Sequence, residues 1–81
     1  MVIDRDRFVI GRSPKNTSMV LRDPAVSRQH AIIERTGEGF VVVDMASRNG
    51  VLLNGTRVTR AVLRPGDVIA IGPFSIAVER T

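Results

Sequence analysis

The sequence predicts an all-β fold, a sandwich of two sheets, and three observations carry that expectation. Short runs rich in Val and Ile recur along the chain, and several alternate in polarity, as in Phe74-Ser75-Ile76-Ala77-Val78-Glu79. That alternation is the period of a strand with one buried face. Between the runs stand turn formers: Asp4-Arg5-Asp6, Asp23-Pro24, Gly37-Glu38-Gly39, Asn54-Gly55, Pro65-Gly66-Asp67 and Gly72-Pro73. Finally, no stretch sustains a helical period beyond two turns. Short strands punctuated in this way make a sandwich or barrel.

Taken in order, strands are expected at Met1–Ile3, Phe8–Gly11, Met19–Leu21, Ala31–Glu34, Phe40–Asp44, Val51–Leu53, Arg57–Val58, Val68–Ile71 and Phe74–Glu79. Arg64-Pro65-Gly66-Asp67 has Pro at its second and Gly at its third position, which suits a type II turn. Asn54-Gly55 lies between two apolar runs and reads as a hairpin turn. A second pair, Asn49-Gly50, stands just before the same short strand. Two such pairs this close raise the question of whether one asparagine does more than turn the chain. Two longer polar connections, "RSPKNTS" at 12–18 and "RDPAVSRQH" at 22–30, are places where binding residues gather on a rigid scaffold.

Composition narrows the chemistry. A chain of 81 residues fits one small domain. The absence of Cys excludes disulfides and thiolate metal sites. One His, His30, offers little for a metal, and neither metal nor cofactor is expected. No apolar run approaches the roughly 20 residues of a membrane helix, and residues 1–20 show no signal-peptide pattern. The expected location is the cytoplasm, with no membrane partner. Net charge is +4, and Lys15 is the one lysine among 12 basic residues. Arginine suits anions recognised through two parallel hydrogen bonds, phosphate among them. Trp and Tyr are absent, and Phe8, Phe40 and Phe74 sit inside strand patterns. Single-stranded nucleic acid therefore lacks a stacking platform, and nucleic acid is not an expected partner.

Several polar residues have two readings. Arg12 either pairs with Asp23 or Asp44 at the surface or binds an anion. Ser27 either closes a turn onto its own backbone or donates to a ligand. His30 invites a general-base role beside Ser27, yet the buried carboxylate and oxyanion donors of a catalytic triad are not legible.

Five segments, "GRS" at 11–13, "SRQH" at 27–30, "SRNG" at 47–50, "NG" at 54–55 and "LRPGDVIAIG" at 63–72, resemble in order and spacing those of the forkhead-associated (FHA) domain. The resemblance spans nearly the whole chain. It implies an FHA-type β-sandwich whose loops at one end recognise phosphothreonine in partner proteins. Residues 1–81 are expected to form one such domain, short at the N-terminus and lacking the usual first strand. A missing strand would expose the edge of its neighbour, and exposed edges invite pairing, so self-association is a further expectation.

By the same resemblance, Arg12 is the phosphate-binding arginine, and Ser27 donates its hydroxyl to a phosphate oxygen. Arg28 adds a phosphate or backbone contact, or remains a solvated charge. Asn49, flanked by Ser47 and Arg48, fixes the main chain of the bound peptide. Arg48 stands where many members have Thr or Ser, and the resemblance implies a charged contact to the phosphate or to acidic residues of the peptide. Gly11, His30, Gly50, Asn54 and Gly55 are expected to support the site, His30 by bracing the loops. Ala25, two residues before Ser27, stands where the family sets part of its peptide specificity, and a small apolar residue there argues against a strong charge requirement from that position. The implied function is a non-catalytic signalling adaptor that recruits partners phosphorylated by a Ser/Thr protein kinase. The alternative is a structural or self-assembling module that uses the fold without phosphate.

Overall fold

A computed structural model describes residues 5–79. Among them are nine strands and no helix: β1 (Arg7–Gly11), β2 (Met19–Val20), β3 (Ala31–Thr36), β4 (Gly39–Asp44), β5 (Val51–Leu53), β6 (Thr56–Val58), β7 (Arg60–Val62), β8 (Val68–Ile71) and β9 (Phe74–Ala77). They form a five-stranded sheet ordered β2-β1-β3-β4-β7 and a four-stranded sheet ordered β6-β5-β8-β9. The strands expected at Val51–Leu53 and Val68–Ile71 have those bounds, and the others shift by one or two residues at an end. The strand expected at Met1–Ile3 lies outside the described residues.

Alternation sets the packing. Phe8 and Ile10 on β1, Ala31 and Ile33 on β3, and Val42 on β4 face inward from the larger sheet. Val51, Ile69, Ile71 and Ile76 meet them from the smaller one. Ile10, Ile33, Ile69 and Ile71 are wholly excluded from solvent, and burying each such side chain is worth about 1.5–3 kcal/mol. Phe8 belongs to this core, and Phe40 and Phe74 pack against it, so the aromatic rings serve packing.

Local chemistry sets the turns. Asn54 and Gly55 both have positive φ, 51° and 86°, the backbone of a type I′ hairpin joining β5 to β6. At Arg64–Asp67 the Asp67 N–H donates to the Arg64 carbonyl oxygen at 3.1 Å, and Gly66 has φ 93°, as a type II turn requires.

One strand and one pairing go beyond the expected strand list. β7 pairs antiparallel with β4, Val62 opposite Val41, and extends the larger sheet by one strand. β2 pairs parallel with β1, Ile10 opposite Met19. Parallel neighbours ordinarily need a long crossover. Here the loop doubles back beside β1: the Ser18 N–H donates to the Val9 carbonyl oxygen, and the Val9 N–H donates to Ser18 Oγ. On β9, at the end of the smaller sheet, Ala77 has an interaction partner, as does Glu79 just beyond it.

Candidate functional site

Three connections meet at one end of the sandwich: a first loop (12–18) after β1, a second (21–30) between β2 and β3, and a third (45–50) between β4 and β5. The second is the hub. The Arg12 N–H donates to the Ser27 carbonyl oxygen at 3.0 Å, and the Ser13 N–H to the Arg28 carbonyl oxygen at 3.2 Å. These bonds bring β1 so close to the second loop that a Cβ on Gly11 would overlap the Arg28 carbonyl oxygen. Gly11 is thus required by space, because no larger residue fits that approach.

Arg12 is exposed, and its guanidinium is nonetheless oriented. Nε donates to the Val26 carbonyl oxygen at 3.0 Å. Of the two readings of Arg12, pairing with Asp23 or Asp44 is not what the geometry has: neither carboxylate forms an ion pair with it among the described residues. Asp23 Oδ1 instead accepts the Ala25 N–H, and Asp44 Oδ1 accepts the Ser47 N–H. The two terminal amino groups of Arg12 remain available as a donor fork.

Ser27 does not close a local turn with its hydroxyl. Its Oγ accepts the Arg48 N–H at 3.1 Å across 21 residues of sequence. Since the oxygen is the acceptor there, the hydroxyl proton is still available to donate. Asn49 is exposed, and its Nδ2 donates to the Ala25 carbonyl oxygen at 2.7 Å. Its Oδ1 remains as an acceptor. Ser47 Oγ accepts the Gly50 N–H at 2.9 Å, which closes the third loop on itself. The side chains of Arg28 and Arg48 are exposed and hold no ion pair among the described residues.

His30 lies beneath these loops and is wholly buried. The Ser27 N–H donates to its Nδ1 at 3.0 Å, which assigns the ring proton to Nε2. Nε2 then donates to the Gly50 carbonyl oxygen at 2.7 Å. Both ring nitrogens are committed to backbone groups, and neither faces the Ser27 hydroxyl as a base would. The imidazole instead ties the second loop to the third. Gly50, with φ 82°, takes the left-handed conformation that presents its carbonyl to the ring, and a Cβ there would meet the Arg57 guanidinium at 2.7 Å.

Arg12, Ser27, Arg28, Ser47, Arg48, Asn49, Gly11, His30 and Gly50 are therefore gathered at one end. Asn54 and Gly55 are not among them. They lie at the other end of β5, where Asn54 Nδ2 donates to Asp67 Oδ1 at 3.0 Å and Asn54 Oδ1 accepts the Val68 N–H at 2.9 Å. Their support reaches the site only through the hairpin that seats β5. The carbonyls of Ala25, Val26 and Gly50 organise the loops, and backbone groups leave no signature in residue type. Arg22, which lines the same depressions as Arg12, also went unmarked by any motif.

Among the described residues no group of three or more His, Cys, Asp or Glu is placed to hold a metal ion, and no helix is long and apolar enough to cross a membrane.

Comparison with known proteins places this geometry in a family. The family model for the FHA domain matches residues 8–72. The glycogen accumulation regulator GarA of Mycolicibacterium smegmatis is 39% identical over 75 residues, covering 93% of this chain and 47% of the relative. The chain spans about half the length of the curated relatives it matches. Among solved structures, Mycobacterium tuberculosis EmbR in complex with a low-affinity phosphopeptide superposes with a TM-score of 0.86 at 33% identity, covering 93% of this chain and 20% of that one. A structure from a study of phosphothreonine-dependent FHA-domain interactions superposes with a TM-score of 0.89 at 32% identity, covering 98% and 81%. With the family model spanning most of its length and its sandwich shared with such structures, this chain belongs to the FHA domain family.

Proposed function

We propose that this domain binds a phosphothreonine-containing segment of a partner protein through Arg12, Ser27 and Asn49, as a non-catalytic adaptor downstream of a Ser/Thr protein kinase. One observation carries the reading. Each of the three side chains sits on a different loop, each is oriented by a bond to another loop, and each retains an open donor or acceptor. Arg12 offers its terminal amino groups, Ser27 its hydroxyl proton and Asn49 its Oδ1. A phosphothreonine brings about −1.5 to −2 charges and three strong acceptor oxygens, which suits the Arg12 fork and the Ser27 hydroxyl. Asn49 Oδ1 suits a peptide N–H. Arg28, Ser47 and Arg48 line the same surface, the two arginines as additional cations. The bound phosphopeptide of the EmbR structure adds support by kinship. The cytoplasm, where kinase and partner would meet the domain, is the proposed location.

The test is a titration with three peptides of one sequence carrying phosphothreonine, phosphoserine or threonine. The phosphothreonine peptide should bind tightest, the threonine peptide should not bind, and Arg12→Ala should abolish the difference. Affinity should fall with added salt, because the anchoring contact is charged and exposed. Equal binding of all three peptides would sink the reading. Self-association indifferent to phosphate and to Arg12→Ala would point instead to an assembly module.

A further inference from the structure

The surface beside Arg12 carries more positive charge than one phosphate neutralises. The Leu21 N–H donates to the Gly11 carbonyl oxygen at 2.9 Å, which sets Arg22 next to Arg12. The Ser13–Arg28 backbone bond brings Arg28 to the same place. Arg12, Arg22 and Arg28, with Ser13 and Pro14, line an open depression of about 380 Å³. A neighbouring depression of about 290 Å³ is lined by Arg12, Arg22, Asp23 and Pro24. Neither Arg22 nor Arg28 forms an ion pair or a side-chain hydrogen bond among the described residues. Like charges lining one depression repel one another, and such a cluster is relieved by anions.

Counting charge decides how many anions. Three guanidinium groups, with that of Arg48, whose N–H is tied to Ser27 Oγ, contribute four positive charges. Asp23 offsets one of them, with Oδ1 turned onto the Ala25 N–H. The phosphate removes about 1.5 to 2 more, and a positive surplus of at least one remains beside it. Arg22 is placed to hold that surplus: it is exposed and lines both depressions.

We propose that Arg22, with Arg12 and Arg28 as neighbouring walls, forms a second anion subsite, so that the preferred peptide carries a second anionic group close to its phosphothreonine. This rests on the phosphothreonine reading above. Carboxylate and phosphate share the planar two-oxygen edge that a guanidinium recognises, and either can supply the second charge.

The experiment is an anisotropy titration of the 81-residue chain and its Arg22→Gln variant. The probes are a neutral-flanked phosphothreonine peptide, its unphosphorylated form, and two series in which one Glu or one phosphoserine is moved through the flanking positions. A second anion at one or two adjacent positions should tighten binding by about five-fold or more, the scale of a charge-assisted contact at a surface. Arg22→Gln should erase that gain while the single-phosphate peptide keeps its affinity within about two-fold, since its contacts lie elsewhere. A gain from Glu identifies a carboxylate as sufficient, and a gain from phosphoserine alone identifies a second phosphate. Either supports the subsite. No gain at any position, or an Arg22→Gln loss equal for all peptides, overturns it. If the phosphothreonine peptide binds no better than its unphosphorylated form, the parent reading fails and takes the subsite with it. That result is separable because it is read on singly modified peptides alone.

Discussion

Asn49 donates its side-chain amide to the carbonyl oxygen of Ala25 at 2.7 Å, so that a residue of the third loop holds the second. The bond orients an exposed carboxamide whose Oδ1 stays open. Asn49→Ala should therefore weaken phosphothreonine-peptide binding by about tenfold or more, through loss of the peptide contact and of loop alignment. Stability should change by only about 1 kcal/mol, the net worth of one exposed hydrogen bond. Paired titrations and urea unfolding curves measure both effects. A large stability loss at unchanged affinity would reduce Asn49 to a turn residue.

Gly55 belongs to the other Asn-Gly pair and should behave in the opposite way. Its φ of 86° is strained for a β-branched residue, and Gly55→Val should cost about 1–3 kcal/mol of stability. The turn lies at the far end of β5 from the loops. Peptide affinity measured well below the melting temperature should thus match that of the unmodified domain. Reduced affinity in a fully folded Gly55→Val protein would contradict the separation of the two ends.

His30→Ala removes one buried and one part-buried hydrogen bond at once, leaving the Gly50 carbonyl and the Ser27 N–H without their partner. The buried Gly50 carbonyl, orphaned, costs about 1–3 kcal/mol and the part-buried Ser27 N–H about 1 kcal/mol, so a total loss of about 2–4 kcal/mol is expected, with a weaker site. Urea denaturation would register it. A variant as stable as the parent would mean that the imidazole braces nothing.

Asp67 links the two turns at the far end and makes stability depend on pH. The Asn54 side-chain amide, and then the Arg64 backbone N–H, hold its carboxyl below the ordinary 3.8. Because the folded-state value is depressed, the stabilisation is fully present above the unfolded value. It is lost as pH falls through the folded value, below 3.8. Asp67→Asn removes this titration. The advantage of the parent over Asp67→Asn, measured by urea unfolding from about pH 5 downward, should shrink at the acid end. A difference that stays constant across the range would rule the linkage out.

The strands that were legible are those whose pattern is local. Val51–Leu53 and Val68–Ile71 are apolar runs closed by Asn, Gly or Asp, and they keep those bounds in the fold. Arg60–Val62 was not legible, because three residues show no alternation. It is a strand because Val41 on β4 offers Val62 a partner. The β1–β2 pairing was equally hidden, since it depends on how the first loop doubles back beside Val9. At the loop cluster, the resemblance to the FHA family singled out Arg12, Ser27 and Asn49, but nothing marked Arg22. Its place beside Arg12 comes from a backbone bond between Leu21 and Gly11.

By itself the sequence determined what acts over a few residues. It settled the alternating strands, the left-handed turn at Asn54-Gly55, the Pro-Gly turn at Arg64–Asp67, and the order of the loops that bear Arg12, Ser27 and Asn49. Only the tertiary structure decided what each polar side chain does. Arg12 had two acidic candidates and took the Val26 carbonyl 14 residues away. Ser27 reached the backbone of Arg48, 21 residues on, and Asn49 bridged 24 residues to Ala25. Such partners become neighbours only when two sheets pack on one core and bring three loop ends together. That is why two Asn-Gly pairs three residues apart, alike in sequence, do different work: one sits in the loop cluster, and the other closes a hairpin at the far end of the same strand.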